Sequence, residues 1–308
     1  MKQIRPIFGL VLAIMGLLLL YQWIGILMIY LMPVPFVIFG YHEGLKKGLW
    51  VTIVASMLSL ILSDPSYYFL ILLGGTVGTV MGGLYHRKSL LPAMVGGFIT
   101  TLANMILLLL FLKMLLHIDI VESIRNAFVE SLQLMNKFGY MNQQGNGYIT
   151  AMSELVGYIL PAMIIFTSFF IVLIVHFLSR LFFKRSHIEM PAFPPIREWM
   201  LPKGIFYYYI IVVVLMAIPS MLDIYMIKLT LVNLYPILQF LLMIQGVSFV
   251  LFYMNEKNWS GFLRSITLFG FVLLQVTSIL PILDFIGLFD LGFNFRKSLH
   301  LGADSLYA

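Results

Sequence analysis

Long apolar segments alternate with short polar ones along almost the whole chain. A helix needs about 20 consecutive apolar residues to cross the hydrocarbon core of a bilayer. The pattern predicts membrane spans at 7–23, 24–41, 47–63, 67–84, 91–116, 153–183, 205–222, 229–254 and 264–283. We therefore expect an all-α fold, a polytopic transmembrane helical bundle of eight or nine spans.

The span count depends on the first apolar stretch, residues 7–41. Gln22, Trp23 and Gly25 can form a tight turn between two short helices, with Pro33 and Pro35 bending the second. The alternative is a single tilted helix followed by a re-entrant segment. Because the first apolar run is too long for a signal peptide and lacks a clear cleavage site, we expect a retained first helix.

Composition agrees with a membrane protein and excludes a soluble globular one. Of the 308 residues, 61% are hydrophobic and only 10% are charged, with a mean hydropathy of +0.99. Soluble chains carry about 25% charged residues. The chain contains no cysteine, which excludes disulfides, thiolate metal sites and thiol catalysis.

The basic residues anchor loops rather than bind nucleic acid, because they lie singly or in pairs between the apolar runs. With two initial spans and a cytoplasmic N-terminus, 13 of the 19 basic residues fall on the cytoplasmic side, as the positive-inside rule requires. This predicts cytoplasmic loops at 41–48, 85–90, 184–204 and 255–264 in the bacterial cytoplasmic membrane. The side of the C-terminus stays open, since Arg296 and Lys297 would then lie outside.

Residues 117–150 are too polar to span. Apolar residues at the spacing of one helical face predict an amphipathic helix here: Val121, Ile124, Phe128, Leu132 and Met135. This extracytoplasmic segment either lies on the outer leaflet or forms a lid over a cavity.

A second polar segment, residues 185–204, contains four prolines, which exclude a continuous helix. It divides a front portion of six helices, 1–184, from a C-terminal portion of three helices and a tail, 205–308. We interpret it as a cytoplasmic linker, with a docking surface for a cytoplasmic partner as the alternative.

The glycine-rich run GGTVGTVMGG at 74–83 predicts close helix packing. Gly74, Gly78 and Gly82 are spaced by four and share one helical face, where small residues let two backbones approach in lipid. A phosphate-binding loop would require a G-x-x-x-x-G-K-[ST] or G-x-G-x-x-G pattern after a strand, and neither is present.

Catalytic patterns are absent from the sequence. It has no H-E-x-x-H motif, no G-x-S-x-G elbow, no P-loop and no paired-aspartate motif. We therefore expect no enzymatic activity, no metal and no cofactor.

Polar residues at membrane depth are candidate functional residues, because inserting them costs free energy. Interhelical hydrogen bonding is the simpler interpretation for most of them, namely Asn104, Gln239, Gln245, Ser248 and Gln275. Charged residues near the predicted outer ends of the spans are either solvated loop residues or part of a site: Asp64, Glu154, Asp223, Lys228, Asp284 and Asp290.

A ligand site is predicted from three of these residues, Asp64, Asn104 and Glu154, together with Tyr67 and Tyr68. Tyr67 and Tyr68 offer flat amphipathic surfaces, Asp64 and Glu154 offer charge, and Asn104 is polar at mid-span. The combination suits a cationic or polar aromatic solute in an outward pocket, over which residues 117–150 could close.

Four stretches carry a resemblance to a known family: PVPF at 33–36, GYHEGLKKG at 40–48, PPIREWMLP at 194–202 and GLFDLGFNFRK at 287–297. With the glycine-rich fourth helix, the layout resembles the YybS-like family of uncharacterised bacterial multi-pass membrane proteins.

That family looks distantly similar to the substrate-binding membrane subunits of energy-coupling-factor vitamin transporters. The resemblance implies a solute-binding or transport subunit that meets a membrane coupling subunit and separate ATPases. Such subunits use small residues four apart in the first helix, and Gly9 and Ala13 fit that spacing. A homo-oligomer is a further candidate assembly, and a non-catalytic membrane scaffold is the alternative function.

Overall fold

The computed structural model describes residues 9–10, 14, 27–62, 65–86, 89–138, 145–185, 188, 190–276, 281–293 and 295–296. Regular structure in these ranges is helical, without a strand, which confirms the all-α class. The α-helices are α1 Leu27–Leu31, α2 Pro33–Glu43, α3 Leu45–Leu62, α4 Pro65–Tyr85, α5 Leu90–Leu115, α6 Ile120–Lys137, α7 Gly145–Arg185, α8 Gly204–Met216, α9 Pro219–Leu222, α10 Tyr225–Glu256, α11 Gly261–Val276 and α12 Ile282–Phe293.

Four of the described helices are long and apolar enough to cross a membrane. They are the apolar parts of α4, α5, α7 and α10: Tyr67–Tyr85, Leu90–Leu115, Gly157–Arg185 and Tyr225–Glu256. Together with the shorter apolar helices α8 and α11, they form a helical membrane protein. The count of eight or nine spans stays a prediction, and most of the first predicted span lies outside the described residues.

The chain divides into two units by its contacts. Unit 1 comprises Met1–Ile149 and Met163–Ala192, and unit 2 comprises Thr150–Ala162 and Phe193–Ala308. The long helix α7 is therefore shared, because residues 150–162 belong to unit 2 and the rest of the helix belongs to unit 1. The boundary between Ala192 and Phe193 lies within the sequence-based division at 185–204.

In unit 1, α2 and α4 touch at backbone distance, and glycines leave the space for this contact. A Cβ atom at Gly78 would overlap the carbonyl oxygen of Pro33, and one at Gly82 would overlap that of Val37. Both contacts join residues 45 positions apart, so the two helices run parallel. Gly74 continues the same face, and a Cβ atom placed on it would lie 3.3 Å from the Cγ of Met32.

The bounds of α2 follow from local sequence. Met32 forms a turn after α1, and Pro33 starts α2 because its φ is preset for the first helical position. Gly44 ends the helix with φ +83°, a left-handed value that favours glycine, while its N–H donates to the Gly40 carbonyl at 2.9 Å. The predicted span at 24–41 thus contains two helices where it is described.

Unit 2 contains a second pair of parallel helices in glycine contact. A Cβ at Gly287 of α12 would overlap the carbonyl oxygen of Leu242, and one at Gly246 of α10 would overlap that of Leu283. The predicted ninth span at 264–283 differs from the structure, because α11 and α12 are separate helices. Pro281 is non-helical and α12 starts immediately after it.

The predicted amphipathic segment contains α6, and Asp119 caps its N-terminus. Its Oδ1 accepts hydrogen bonds from the N–H groups of Val121 and Glu122 at 3.0 and 3.2 Å. The Glu122 N–H, followed by the ammonium of Lys113 at 3.1 Å, lowers the pKa of Asp119 below its usual range.

Candidate functional site

A cavity of about 180 Å³ lies in unit 1, where α1, α2, α4, α5 and α7 meet. Its walls are mostly apolar, and Gly74 opens space on the α4 side. Asn104, near the middle of α5, contributes the polar side chain that the sequence analysis singled out, together with the buried Thr101. Mostly apolar cavities with few polar groups are typical of small-molecule sites.

The orientation of the Asn104 amide is fixed by its partners. Nδ2 donates to the carbonyl oxygen of Leu73 at 3.1 Å and to Oγ1 of Thr76 at 2.9 Å. Because a carbonyl oxygen can only accept, the amide nitrogen must be the atom that faces Leu73. Both Nδ2 hydrogens are therefore used, while nothing among the described residues donates to Oδ1 of Asn104. The side chain retains an acceptor for a donor group of a ligand.

The other predicted ligand residues are not gathered around this cavity. Tyr67 and Tyr68 are half-buried at the start of α4, and the Tyr68 ring contacts that of Phe69 with centroids 5.2 Å apart. Asp64 lies outside the described residues, and the structure describes the helix at Glu154 but not its side chain. The outward pocket that combines these residues stays a prediction.

Gly9 and Ala13, the small residues predicted to contact a membrane coupling subunit, fall at the edge of the described chain. Nothing lies within 4 Å of a Cβ placed on Gly9, and Ala13 lies outside the described residues. A role of this spacing in helix contact also stays a prediction.

Unit 2 contains a buried ion pair that the sequence analysis missed. Asp290 on α12 is fully buried, and its Oδ2 accepts hydrogen bonds from Nε of Arg296 at 3.1 Å and from Nε2 of Gln245 at 2.5 Å. Arg296 also donates through Nη2 to Ser248 Oγ at 3.0 Å and through Nη1 to the Arg197 carbonyl at 3.0 Å. The carboxylate is thus neutralised and its cation is hydrogen-bonded, while Oδ1 of Asp290 is buried without a partner in the described chain.

The proline-rich linker is held against α10 by the same cluster. We call residues 193–203 the proline strap. Gln245 Oε1 accepts from the N–H of Leu201 at 2.9 Å, and Ser248 Oγ lies 2.6 and 2.7 Å from the carbonyl oxygens of Ile196 and Trp199. Irregular backbone inside a membrane protein needs such protein partners. The strap is therefore a fixed part of unit 2.

A second buried carboxyl group lies six residues earlier on α12. Asp284 is 4% exposed, and its Oδ2 accepts from Nε2 of Gln239 on α10 at 2.8 Å and from Nε2 of Gln275 on α11 at 2.9 Å. Oδ1 of Asp284 and Oε1 of Gln275 are buried without a hydrogen-bond partner in the described chain. Unlike Asp290, Asp284 has no cationic partner among the described residues.

The interpretation of these two aspartates as solvated loop residues is wrong. Gln239 pairs with Asp284 and Gln245 with Asp290, both 45 positions apart, so α12 runs parallel to α10 and returns towards the proline strap. The six-residue spacing shared by the two glutamines and the two aspartates was the available signal. Reading it required knowing that α10 and α12 are neighbours.

The comparisons with known proteins agree with this membrane architecture. The family described as Predicted membrane protein (DUF2232) matches residues 9–291. The chain belongs to this family. A relative, "Uncharacterized protein YybS" of Bacillus subtilis (strain 168), is 25% identical over 314 residues, covering 97% of this chain and the whole relative. No solved structure matches the chain.

Proposed function

We propose that this DUF2232 protein is a solute-binding or transport subunit of the bacterial cytoplasmic membrane. One observation supports the proposal. Asn104 lines the cavity in unit 1, and its Oδ1 accepts no hydrogen bond from any described residue. A polar side chain at the middle of a spanning helix is a functional candidate. A scaffold requires neither a cavity nor an unused acceptor.

The cavity favours a small, neutral solute with a hydrogen-bond donor. Its volume of about 180 Å³ is below the ~300–1,000 Å³ usual for drug-sized ligands. The cavity wall contains no charged side chain among the described residues, so recognition relies on the Asn104 amide and on apolar contact. A cationic or aromatic solute would need the outward pocket near Tyr67 as well.

A larger cavity of about 510 Å³ in unit 2 fits this function less well. It lies among α10, α11 and α12 and is lined chiefly by aromatic and aliphatic side chains, including Phe249, Trp259 and Phe271. Such walls suit a lipid chain, because they offer few polar groups to select a solute.

The resemblance to energy-coupling-factor subunits suggests how the protein would be driven. We propose a membrane coupling subunit and separate ATPases as partners, since the sequence contains no P-loop. Gly9 has open space at its Cβ position, which is compatible with a partner helix there.

The experiment is native mass spectrometry of the full-length protein released from its own membranes. We expect a bound small molecule in the parent protein and a lower occupancy in Asn104→Leu. Losing one net hydrogen bond of ~0.5–1.5 kcal/mol corresponds to about 2- to 12-fold weaker binding. Leucine has the same branched heavy-atom skeleton as asparagine but cannot accept a hydrogen bond.

Thr100→Val is the matched control. Thr100 lies on the same helix, but its hydroxyl donates to the carbonyl of Gly96 at 2.7 Å and does not line the cavity. The Thr100→Val variant should carry the bound small molecule at the same occupancy as the parent protein. A parent protein that carries no small molecule, or an Asn104→Leu variant with full occupancy, would contradict the assignment of the site.

The proline strap supports partner docking as a second candidate function. Its backbone is fixed by α10, while the side chains of Ile196 and Met200 are 44% and 53% exposed. A rigid backbone with exposed apolar side chains can present a constant surface to another protein. If Ile196→Ser removes a co-purifying protein while solute occupancy is unchanged, the docking function is supported.

A further inference from the structure

The environment of Asp284 is unusual because its carboxyl group is deep, buried and without a counter-ion. Its partner Gln239 lies near the middle of α10, about 21 Å from the start and about 26 Å from the end of that helix at 1.5 Å per residue. Asp284 therefore lies opposite the central part of a membrane-crossing helix. An unneutralised carboxylate at this depth is strongly unfavourable.

The helices around Asp284 bring no compensating cation to it. α8 and α9 contain no charged residue, and the only charges of α10 and α11 are near their ends: Lys228, Glu256 and Arg264. Lys228 lies over the ring of Tyr158, 4.8 Å from its centroid. The nearby Tyr209 and Tyr235 supply no cation, and their rings stack with centroids 6.0 Å apart.

The other aspartate of α12 does not share a cation with Asp284. Asp290 receives the guanidinium of Arg296 on its own Oδ2. One helix therefore carries a neutralised carboxylate and, six residues earlier, a carboxyl group whose neutralisation must come from outside the described side chains.

The hydrogen bonds at Asp284 indicate what is missing. Oδ2 accepts from two amides, whereas Oδ1 and the neighbouring Gln275 Oε1 are buried oxygens without a partner. Both atoms are acceptors on groups that already touch each other. A hydrogen placed on Oδ1 removes the charge and converts one acceptor into a donor. A metal ion such as Ca²⁺ needs six to eight oxygen ligands, and no described group of three or more acidic or histidine side chains could hold one.

We propose that Asp284 is a proton-binding site, at which the carboxyl group carries its proton on Oδ1 at neutral pH while Gln239 and Gln275 hold Oδ2. The site stands independently of the solute cavity in unit 1.

The test is infrared spectroscopy of the full-length protein in lipid bilayers, with ¹³C in the carboxyl groups of its aspartates. Exposed aspartates are ionised at neutral pH, and Asp290 is paired with Arg296. We therefore expect an isotope-shifted carboxylic-acid band in the parent at neutral pH. The band should vanish in Asp284→Asn and persist in Asp223→Asn, where an exposed aspartate is changed.

A second variant assigns the band even if Asp284→Asn does not fold. Gln275→Leu removes one of the two amides at Asp284, so the frequency of the band should shift while its intensity remains. An unchanged frequency would show that the acid group is elsewhere and would overturn the proposal.

Two other results would overturn the proposal. If the parent shows no acid band at neutral pH, Asp284 is ionised in the folded protein. If the band disappears when sodium replaces potassium at constant pH, Asp284 binds a sodium ion rather than a proton.

Stability gives an independent readout. A proton that the folded protein holds and the unfolded chain releases makes stability fall as pH rises above neutral. The parent melting temperature should therefore drop between neutral and alkaline pH, and Asp284→Asn should lose that component. A parent with the same pH dependence as Asp284→Asn would contradict the assignment. Loss of the solute in the mass spectrum would leave this result unchanged, so failures of the two proposals are distinguishable.

Discussion

Units 1 and 2 use the same packing device around different interiors. In unit 1, the short helix α2 lies parallel to α4, with Gly78 against Pro33. In unit 2, α12 lies parallel to α10, with Gly287 against Leu242. In both units one helix, α3 or α11, connects the pair, and the Gly78–Pro33 and Gly287–Leu242 contacts each join residues 45 positions apart. The order is reversed, since the short helix comes first in unit 1 and last in unit 2.

The interiors differ in charge. The fully buried polar residues described in unit 1 carry no carboxylate and no lysine or arginine: Thr52, Ser56, Ser59, Thr79, Thr101, Ser168, His176 and Ser179. Unit 2 buries Asp284 and Asp290 beside Gln245 and Ser248. Glycine contact thus brings two backbones together in either setting, while the side chains around it decide whether the interior also contains carboxyl groups.

The largest expected effect is an all-or-none labelling difference that tests the parallel direction of α12. If α12 returns to the side of the proline strap, the chain after Arg296 lies in the cytoplasm. In this cysteine-free chain, a Ser298→Cys variant should react with an impermeant maleimide only after the membrane is permeabilised. Asp223→Cys, before α10, should react in intact cells. Labelling of Ser298→Cys in intact cells would place α12 in the opposite direction.

The second-largest expected effect is a difference in folding stability, which tests whether the interior of unit 2 depends on a buried charge pair while that of unit 1 does not. Arg296→Gln leaves the buried Asp290 carboxylate without its cation, and breaking such a pair costs about 3–5 kcal/mol. The matched change in unit 1, Thr79→Val, removes a hydroxyl 3.2 Å from that of Thr52 and should cost only ~0.5–1.5 kcal/mol. Denaturant unfolding in detergent measures both.

The double variant Asp290→Asn with Arg296→Gln serves as the control for charge. It should recover most of the stability that Arg296→Gln loses, because no unpaired charge remains. If the single variant is as stable as the parent, the two interiors do not differ energetically in the way described.

A smaller effect should be common to both units. Gly78→Ala and Gly287→Ala each place a methyl group against a backbone carbonyl that belongs to another helix, and overpacking of this kind costs ~1–3 kcal/mol. Gly270→Ala on α11 is the control, since nothing lies within 4 Å of its Cβ position, and it should be neutral or slightly stabilising. Equal melting temperatures for all three variants would mean that the glycine contacts are loose.

The smallest effect lies outside both interiors, at the exposed cap of α6. The pKa of Asp119 is lowered in the folded protein, so its contribution is present above the ordinary aspartate pKa and is lost as pH falls through the folded value. Hydrogen exchange in the first turn of α6, corrected for intrinsic rates, should accelerate at acidic pH. Asp119→Asn caps equally well but cannot titrate, so its exchange should not show this change. A parent without the acceleration would contradict the role of the cap.

Local sequence determined the membrane class and the positions of the main helices. Apolar length alone located α4, α5, α7 and α10, because a span must satisfy its backbone internally and expose apolar side chains to lipid. The same reasoning identified Asn104 as a polar residue at mid-span. The four-residue glycine spacing pointed to the face of α4 on which the structure places α2.

Tertiary structure decided the environment of the charged residues. Hydropathy merged α11 with the start of α12 into one span, and this put Asp284 and Asp290 near an outer end. Their burial depends on Gln239 and Gln245, which are 45 residues away in sequence. A carboxyl group is solvated or buried according to which helix lies beside it. That choice is made by backbone contact between α10 and α12, which no local pattern of hydrophobicity contains.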